Sequence, residues 1–285
     1  MIVQRFAHLL NRRYRIYRAA RYLPNHSTAP LHEVSVLNTS RQFADSRVEI
    51  VEDGFADSEI DQFRQDAEYE FYYPNYYVDR PMVKLKKIRE HYVAAKLLKL
   101  NSNDIFLDIA SQYSPAPLVY ERIYKCRVLR QDLEYETGIN SRVIGGSAGN
   151  MPLESGSITK MALHCSLEHF EGDEDINLIR EAERVLAIGG QLAIVPLYLC
   201  DTYFIITKPS VWAKEDQSQW PVFPSDALIY TPDSAGNRFE RYYDFNHFKD
   251  RILNNTGLNF KLHSFGNQDS CTTGQLRFAG VFAKI

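Results

Sequence analysis

The feature that most constrains the fold is an alternation of strand and helix patterns that begins at residue 81 and continues to the end of the sequence. Short apolar runs of strand length are DIFLDIA, CRVLRQD, RVIGG, ITKMALHC, QLAIVPLYL, LNFKLHSF and QLRFAGVFAKI. Alternating with them are four segments with apolar residues at helical spacing: PMVKLKKIREHYVAAKLLKLN, PAPLVYERIYK, DEDINLIREAERVLAIGG and YDFNHFKDRILNNTG. This order predicts a doubly wound α/β sheet. Gly189 is predicted to be the C-cap of the third helix.

Composition fits a soluble globular protein and excludes several classes. The 285 residues are 45% apolar and 24% charged, and the net charge of −3 gives no general reason to expect a nucleic-acid partner. The four cysteines, Cys126, Cys165, Cys200 and Cys271, are far apart and form no CxxC pair. No apolar run approaches the ~20 residues of a membrane span. We therefore expect a cytoplasmic protein.

Residues 1–80 precede the alternating pattern and are predicted to form an N-terminal extension. Residues 1–30 carry six arginines and no acid, and residues 1–23 have the spacing of a basic amphipathic helix. Such a helix could contact an anionic membrane surface, or pack on the domain with its arginines in water, which is the simpler interpretation. It is not a signal peptide, because no long apolar core follows the charges. Residues 45–70 are acidic and lead into YEFYYPNYYVDRP, whose tyrosines either pack on the main domain or line a pocket.

A second addition lies inside the predicted domain of residues 81–285. Residues 200–243 separate the fifth strand from the last helix and are rich in aromatic residues. We expect them to form a lid over a substrate cleft. Their aromatic rings could equally pack a small extra sheet or a dimer interface.

Ligands of a doubly wound sheet bind at the carboxyl ends of its strands. Four segments are predicted to lie there: Asp108–Ser114, Asp132, Gly146–Asn150 and His164–Phe170. A carboxylate at a strand end, such as Asp132, can accept hydrogen bonds from both hydroxyls of a diol. The alternatives are that Asp108 caps the next helix and that Asp132 only begins a polar turn.

The order of these motifs resembles the class I S-adenosylmethionine-dependent methyltransferases, in particular the group related to ubiquinone-biosynthesis methyltransferases. The stretch GGSAGNMPLESGSITKMALHCSLEHF is the most specific, and REAERVLAIGGQLAIVPL matches the family's helix, Gly-Gly turn and fifth strand. The resemblance covers Lys84–Leu199 and Asp244–Ile285. It implies a Rossmann-like sheet of mostly parallel strands with an antiparallel last strand.

The resemblance also implies S-adenosyl-L-methionine as cofactor and a small-molecule or glycan acceptor. The positions that would bind the cofactor are Asp108, Ala110, Ser111, Gln112, Ser114, Asp132, Leu133, Ser147, Ala148 and His164. Among them Asp132 matches the family's acid that accepts both ribose hydroxyls. Pro115 would begin the helix whose free N–H groups face the cofactor carboxylate.

The sequence departs from the family where glycines and acids are expected. The family's motif is Asp-x-Gly-x-Gly-x-Gly, and here Asp108, Ala110, Gln112 and Ser114 occupy its fixed positions. Gln112 and Ser114 are expected to need a different turn, since neither accepts a positive φ as readily as glycine. Two further acids of the family are replaced by Ser147 and Thr159.

Catalysis would involve the end of the fourth strand, HCSLEH, which in the family lies next to the transferred methyl group. His164 is the candidate base or acceptor-positioning residue, with Glu168 and His169 as supporting groups. The alternative is that His164 only packs against the adenosine, and His169 could pin the loop. No metal site is predicted, because the spacing is not that of HExxH.

Three functions remain open at this stage. The first is methyl transfer to a small molecule or glycan, and the second is a non-catalytic methyltransferase-like binding or assembly protein, which the lost glycines and acids favour. The third is a nucleotide-dependent oxidoreductase, which the absence of G-x-G-x-x-G disfavours.

Overall fold

A computed structural model describes residues 14, 17–18, 21–27, 36–112, 114–232, 236–265 and 276–285. Most of residues 1–23, and with them the prediction of a membrane-binding helix, lie outside the described residues. The described helices are α1 (Val36–Asp45), α2 (Asp57–Asp66), α3 (Tyr69–Tyr72), α4 (Pro81–Leu98), α5 (Ala116–Tyr124), α6 (Glu174–Val185), α7 (Pro209–Trp212) and α8 (Phe245–Arg251). Short 3-10 turns cover Leu167–His169, Gln217–Gln219 and Leu253–Asn255.

Twelve strands lie in the described part of the chain. They are β1 (His26–Ser27), β2 (Glu49–Glu52), β3 (Ile105–Ile109), β4 (Arg127–Asn140), β5 (Val143–Gly145), β6 (Ile158–His164), β7 (Leu186–Val195), β8 (Phe204–Ile206), β9 (Leu228–Tyr230), β10 (Glu240–Tyr242), β11 (Asn259–Ser264) and β12 (Phe278–Ala283). Eight of them form one sheet in the order β2-β11-β12-β7-β6-β3-β4-β5. All neighbours in the centre of this sheet are parallel, and β12 is antiparallel to both β11 and β7. The predicted Rossmann-like sheet of mostly parallel strands with an antiparallel last strand is confirmed.

Helices cover both faces of the large sheet because side chains alternate between its faces along each central strand. On one face, Leu107, Met161 and Leu192 pack in a buried layer with Leu178 and Ala182 of α6. On the other face, the central strands contribute Phe106, Val128, Ala162 and Ala193, which pack against Val93, Ala94 and Leu98 of α4 and Val119 and Tyr120 of α5. The strands therefore hold their carboxyl ends in fixed relative positions.

The third predicted helix ends earlier than expected. Helix α6 stops at Val185, and its C-cap Leu186 is already extended. Gly189 is not a C-cap: it lies within β7 with φ +79°, and its N–H donates to the carbonyl of Lys284 at 2.8 Å. Residues 186–190 belong to the strand because Leu186 pairs with Ile158 of β6, and because Lys284, directly after β12, exchanges backbone hydrogen bonds with Gly189 and Gly190.

Both additions to the core contain strands. From the N-terminal extension, β2 pairs in parallel with β11 and forms one edge of the large sheet. The insertion of residues 200–243 supplies β8, β9 and β10, which form a separate four-stranded sheet in the order β1-β9-β8-β10. The buried Arg241 of β10 pairs with the equally buried Asp175 of α6 at 2.5 Å, which fixes the small sheet to the large one.

Candidate functional site at the carboxyl ends of β3 and β6

The turn after β3 contains two residues in the left-handed region. Ala110 has φ +53° and Gln112 has φ +34°, so Gln112 takes a positive φ although we expected it to need a different turn. Strand β4 supplies hydrogen bonds to this turn: the Ala110 N–H donates to Gln131 Oε1 at 3.2 Å, and the Gln112 N–H donates to Asp132 Oδ2 at 2.8 Å. Ser111 N–H donates to the Gln131 carbonyl at 2.9 Å. These bonds offset the cost of the left-handed conformation in residues with a Cβ.

Asp132 lies at this edge of the sheet as the sequence predicts, and both its oxygens are engaged. Besides Gln112, it accepts the N–H of Glu134 on Oδ1 at 2.9 Å. The side chain is buried. A carboxylate oxygen can accept more than one hydrogen bond, so the residue can still accept hydroxyl groups while it holds the turn. Its neighbour Leu133 is 73% exposed.

The three remaining predicted cofactor positions follow β3 and β5 at the same edge of the sheet, and of these Ser114 alone lines the cavity described below. Ser114 Oγ accepts the N–H of Ala116 at 3.2 Å and so helps to begin α5. Helix α5 starts at Ala116, with Pro115 as its N-cap. Ser147 Oγ donates to Glu174 Oε2 at 2.6 Å, and Ala148 is buried. Ser147 therefore places a carboxylate of α6 next to the position where the family has an acid.

A buried hydrogen-bonded chain connects Asp108 to His164. Asp108 Oδ1 lies 2.8 Å from His164 Nδ1, and His164 Nε2 lies 2.9 Å from the hydroxyl of Tyr120. The same hydroxyl donates to the carbonyl of His91 at 2.6 Å. The side chains of Asp108 and His164 are only 1% and 4% exposed. Both ring nitrogens of His164 thus have a hydrogen-bond partner within the protein, which leaves neither nitrogen free for a substrate.

His91 continues this series of hydrogen bonds into the N-terminal extension. Its Nδ1 lies 2.6 Å from the hydroxyl of Tyr69, and its ring is 5.0 Å from that of His164. Burial, with the nearby His164 and Lys87, holds the pKa of His91 well below its usual range, so the ring is neutral. Burial likewise raises the pKa of Tyr69 and Tyr120, which therefore remain protonated.

A cavity of about 760 Å³ lies between this series of hydrogen-bonded residues, at His91 and His164, and the tyrosine-rich segment. Its floor is formed by Ala110, Ser111, Gln112, Ser114, His164 and Cys165, its wall by Lys87 and His91, and its cover by residues 72–80. Of the two readings of the tyrosines, the structure favours the pocket for Tyr72, Tyr73, Tyr76 and Tyr77. The volume is in the range of small-ligand sites.

The 3-10 turn after β6 holds the other two predicted catalytic residues. His169 Nδ1 lies 2.7 Å from the carbonyl of Phe239, so His169 links the turn to the small sheet. Glu168 is 2% exposed, and neither of its oxygens has a hydrogen-bond partner in the described structure. Its nearest basic atom is His169 Nε2, at 3.8 Å.

Sequence reasoning missed several residues of this site. Lys87, His91 and Tyr120 are on helices, where a single polar residue within an apolar pattern gives no sign of its role. Tyr135, whose hydroxyl hydrogen-bonds the Ser111 side chain and the Gln112 carbonyl, lies beyond the predicted end of the second strand. The density of tyrosines in residues 69–77 was the signal for the cover of the cavity.

Two kinds of feature are absent from the described parts of the chain. No group of three or more His, Cys, Asp or Glu side chains is arranged to hold a metal ion. None of the described helices is long and apolar enough to cross a bilayer.

Comparison with known proteins gives likeness in structure only. No protein-family model and no curated protein matches the sequence. The 1,6-didemethyltoxoflavin-N1-methyltransferase of Burkholderia thailandensis, solved with S-adenosylhomocysteine, is 9% identical and has a TM-score of 0.47, with 90% of this chain and 93% of that one covered. The PH0226 protein of Pyrococcus horikoshii is 16% identical with a TM-score of 0.46, covering 76% and 99%.

The MccD protein is 15% identical with a TM-score of 0.34, and the alignment covers 38% of this chain. The chain spans about half (53%) of the length of that protein. Since these TM-scores are below 0.5, the fold assignment rests on strand order and direction within the large sheet.

Proposed function

We propose that the protein binds S-adenosyl-L-methionine in the cavity beside Ala110–Ser114 and transfers its methyl group to a small-molecule or glycan acceptor. The observation that carries this proposal is the cavity itself, at the carboxyl ends of β3 and β6 in a methyltransferase-type sheet. Ligands of such sheets bind at this edge. The tyrosine cover supplies aromatic faces against which an adenine ring can stack.

The chain's own residues have distinct roles in this proposal. Asp132 accepts the ribose hydroxyls while it holds the Gln112 N–H, and Leu133, Ser147 and Ala148 lie on the adenine side. His164 orients Asp108, whose second oxygen has no partner in the described structure and is available to the cofactor. His164 is therefore proposed as a positioning residue, because its ring nitrogens are occupied. The bound cofactor would supply the electrophilic methyl group on its sulfonium.

Glu168 and His169 are the proposed acceptor-side residues. They follow β6 directly, and His169 bonds to the carbonyl of Phe239, the residue just before β10 of the small sheet. We further propose that residues 200–243 cover the acceptor and exclude water from it. Methyl transfer needs the acceptor atom held in line with the methyl group, which a fixed cover favours.

The alternative is a non-catalytic binding protein. One observation favours it: both oxygens of Asp132 are hydrogen-bonded to the backbone of its own fold. If these oxygens have no other role, Asp132 only stabilises the turn and contributes nothing to the binding of S-adenosylmethionine.

Calorimetric titration with S-adenosylhomocysteine separates the two functions. We expect wild-type protein to bind it and Asp132→Ala to bind it more weakly by about 1.5–3 kcal/mol, as for hydrogen bonds to a charged group. Glu134→Ala, an exposed carboxylate two residues away, is the matched control and should bind as wild type. Folding of each variant is checked by its thermal transition. Equal affinity of Asp132→Ala and wild type would remove the ribose assignment, and no binding to wild type would remove the methyltransferase proposal.

A further inference from the structure

A second group of ionisable side chains is buried next to the cavity, where α4, the end of β6 and β10 meet. Its members are Lys86, Lys87, Glu90, Cys165, Glu168, Tyr198 and Glu240. Cys165 joins the two regions: it lines the cavity, and its Sγ lies 3.5 Å from the hydroxyl of Tyr198. Lys87 and Cys165 line the cavity and Glu168 does not, so a ligand in the cavity borders the cluster at these two residues.

The two lysines of the cluster are already paired with Glu90. Lys87 Nζ donates to Glu90 Oε2 at 2.9 Å, and Lys86 Nζ lies 3.8 Å from Glu90 Oε1. Lys86 also donates to the Tyr198 hydroxyl at 3.4 Å. Glu90 is fully buried, so it holds both cations close.

Glu168 is the member whose two oxygens accept no hydrogen bond in the described structure, and its basic neighbour within 4 Å is His169 Nε2, at 3.8 Å. The residue is only 2% exposed, and both of these oxygens are buried. The hydroxyl of Ser166, two residues before it, is buried and unpartnered as well. Buried polar groups in folded proteins are almost always satisfied, and an unpaired buried carboxylate is costly. Such a group is typical of a site completed by a ligand.

The charge around Glu168 defines the kind of ligand. Glu240 of β10 adds a second carboxylate to this side; burial and the negative charge of Glu168 raise its pKa, while His169 opposes the change. Both lysines of the cluster are engaged by Glu90, and His169 Nε2 lies 3.8 Å from Glu168. A group that brings hydrogen-bond donors and positive charge would satisfy Glu168, whereas a neutral hydroxyl would satisfy only one oxygen and leave the charge.

We propose that Glu168, supported by Glu240, binds the ammonium group of a small organic amine, and that this amine is the methyl acceptor. The second clause rests on the proposed methyltransferase function; the first does not. In the reaction, the ammonium gives one proton to the Glu168 carboxylate. The freed nitrogen lone pair then forms the N–C bond to the methyl group, the C–S bond breaks, and its electron pair stays on sulfur to give S-adenosylhomocysteine. The product is a methylated ammonium.

The test compares two probes that differ in their charged group. 2-Phenylethylamine is an ammonium near neutral pH, and 2-phenylethanol replaces it by a hydroxyl; their phenyl ring suits the tyrosine-lined cavity. Calorimetry with the full chain, with and without S-adenosylhomocysteine, should show the amine binding about tenfold or more tightly, as expected for a charge-assisted hydrogen bond. Glu168→Gln should abolish this preference, and Glu136→Gln, on an exposed carboxylate of β4, should keep it.

A second measurement separates ligand binding from a structural role. A buried carboxylate without a hydrogen bond carries a desolvation cost, and Glu168→Gln removes that cost. We therefore expect the melting temperature of Glu168→Gln to equal or exceed that of wild type. A lower melting temperature, equal affinity for both probes, or binding of neither would overturn the amine site. Failure of S-adenosylhomocysteine to bind, with the amine preference intact, would instead remove the methyl-transfer step and leave the amine site standing.

Discussion

The turns after β3 and after β6 lie at the same edge of one sheet, yet their polar groups are satisfied differently. Strand β4 meets the turn after β3 with Gln131, Asp132 and Tyr135, which bond its backbone and side chains. The turn after β6 has the buried Glu168 and Ser166 without a hydrogen bond to either side chain in the described structure. The first turn is thus held by the protein itself, whereas the second contains the buried side chains for which we propose a ligand.

This difference shows what a buried acid can be used for. Asp132 makes a turn without glycines adopt left-handed φ values, so a residue that resembles a ligand-binding acid also maintains the fold. Asp108 is intermediate, with one oxygen on His164 and the other unpartnered in the described structure. The comparison therefore predicts which substitutions reduce stability and which reduce binding.

The largest expected effect is on the buried Asp108–His164 pair, which joins the end of β3 to the end of β6. His164→Ala removes the partner of the buried Asp108 carboxylate, so we expect the free energy of unfolding to fall by about 3–5 kcal/mol. Equilibrium unfolding in urea measures it. His169→Ala removes a ring that is 42% exposed and bonded to one carbonyl, so its loss should stay near 1 kcal/mol. Equal losses in the two variants would show that the buried Asp108–His164 pair contributes no more than the exposed His169.

An effect of intermediate size is the pH dependence of stability, which we attribute to the buried His91 of α4. Its pKa is lowered in the folded state by burial, whereas the unfolded residue takes up a proton near pH ~6.5. The stability that this neutral ring contributes is complete above that pH and declines as pH falls below it, by about 1 kcal/mol per unit. Unfolding at pH 7.5 and 5.5 should therefore show a smaller decline in His91→Asn than in wild type. Identical declines would show that His91 is not the group responsible.

The smallest effect is at the left-handed residues. Gln112→Gly should relieve a positive φ that costs about 1 kcal/mol in a residue with a Cβ, less the entropy cost of glycine. We expect a net gain of a few tenths of a kcal/mol, visible as a small rise in melting temperature. Ser114→Gly is the control: it has no positive φ to relieve and loses the bond to the Ala116 N–H. A loss in Gln112→Gly as large as that in Ser114→Gly would show that the side chain, not the backbone, matters there.

The central sheet could be predicted because its strands are apolar, buried runs separated by helices of the right period. Strands β1 and β2 could not, because HS and EIVE carry no such pattern and form only by pairing with distant partners. Gly189 was misplaced for the same reason: Leu186 pairs with Ile158 of β6 and Gly189 bonds to Lys284, so β7 begins before this glycine. At the site, Asp108 and His164 were found from their strand ends, whereas His91 and Tyr120 look like core residues of amphipathic helices.

Strand β2 has a consequence for how the chain folds during synthesis. Glu49 pairs with Lys261, 212 residues further on, and at 5–20 residues per second the ribosome needs about 10–40 s to make that partner. Over this interval the segment has hydrogen-bonding edges but no strand to join. Glu49, Glu52 and Asp53 give it a negative charge, and like charges on an unpaired edge disfavour association with other chains. The acidic residues of this region thus suit a strand that is synthesised early and joins the sheet only after β11 has been made.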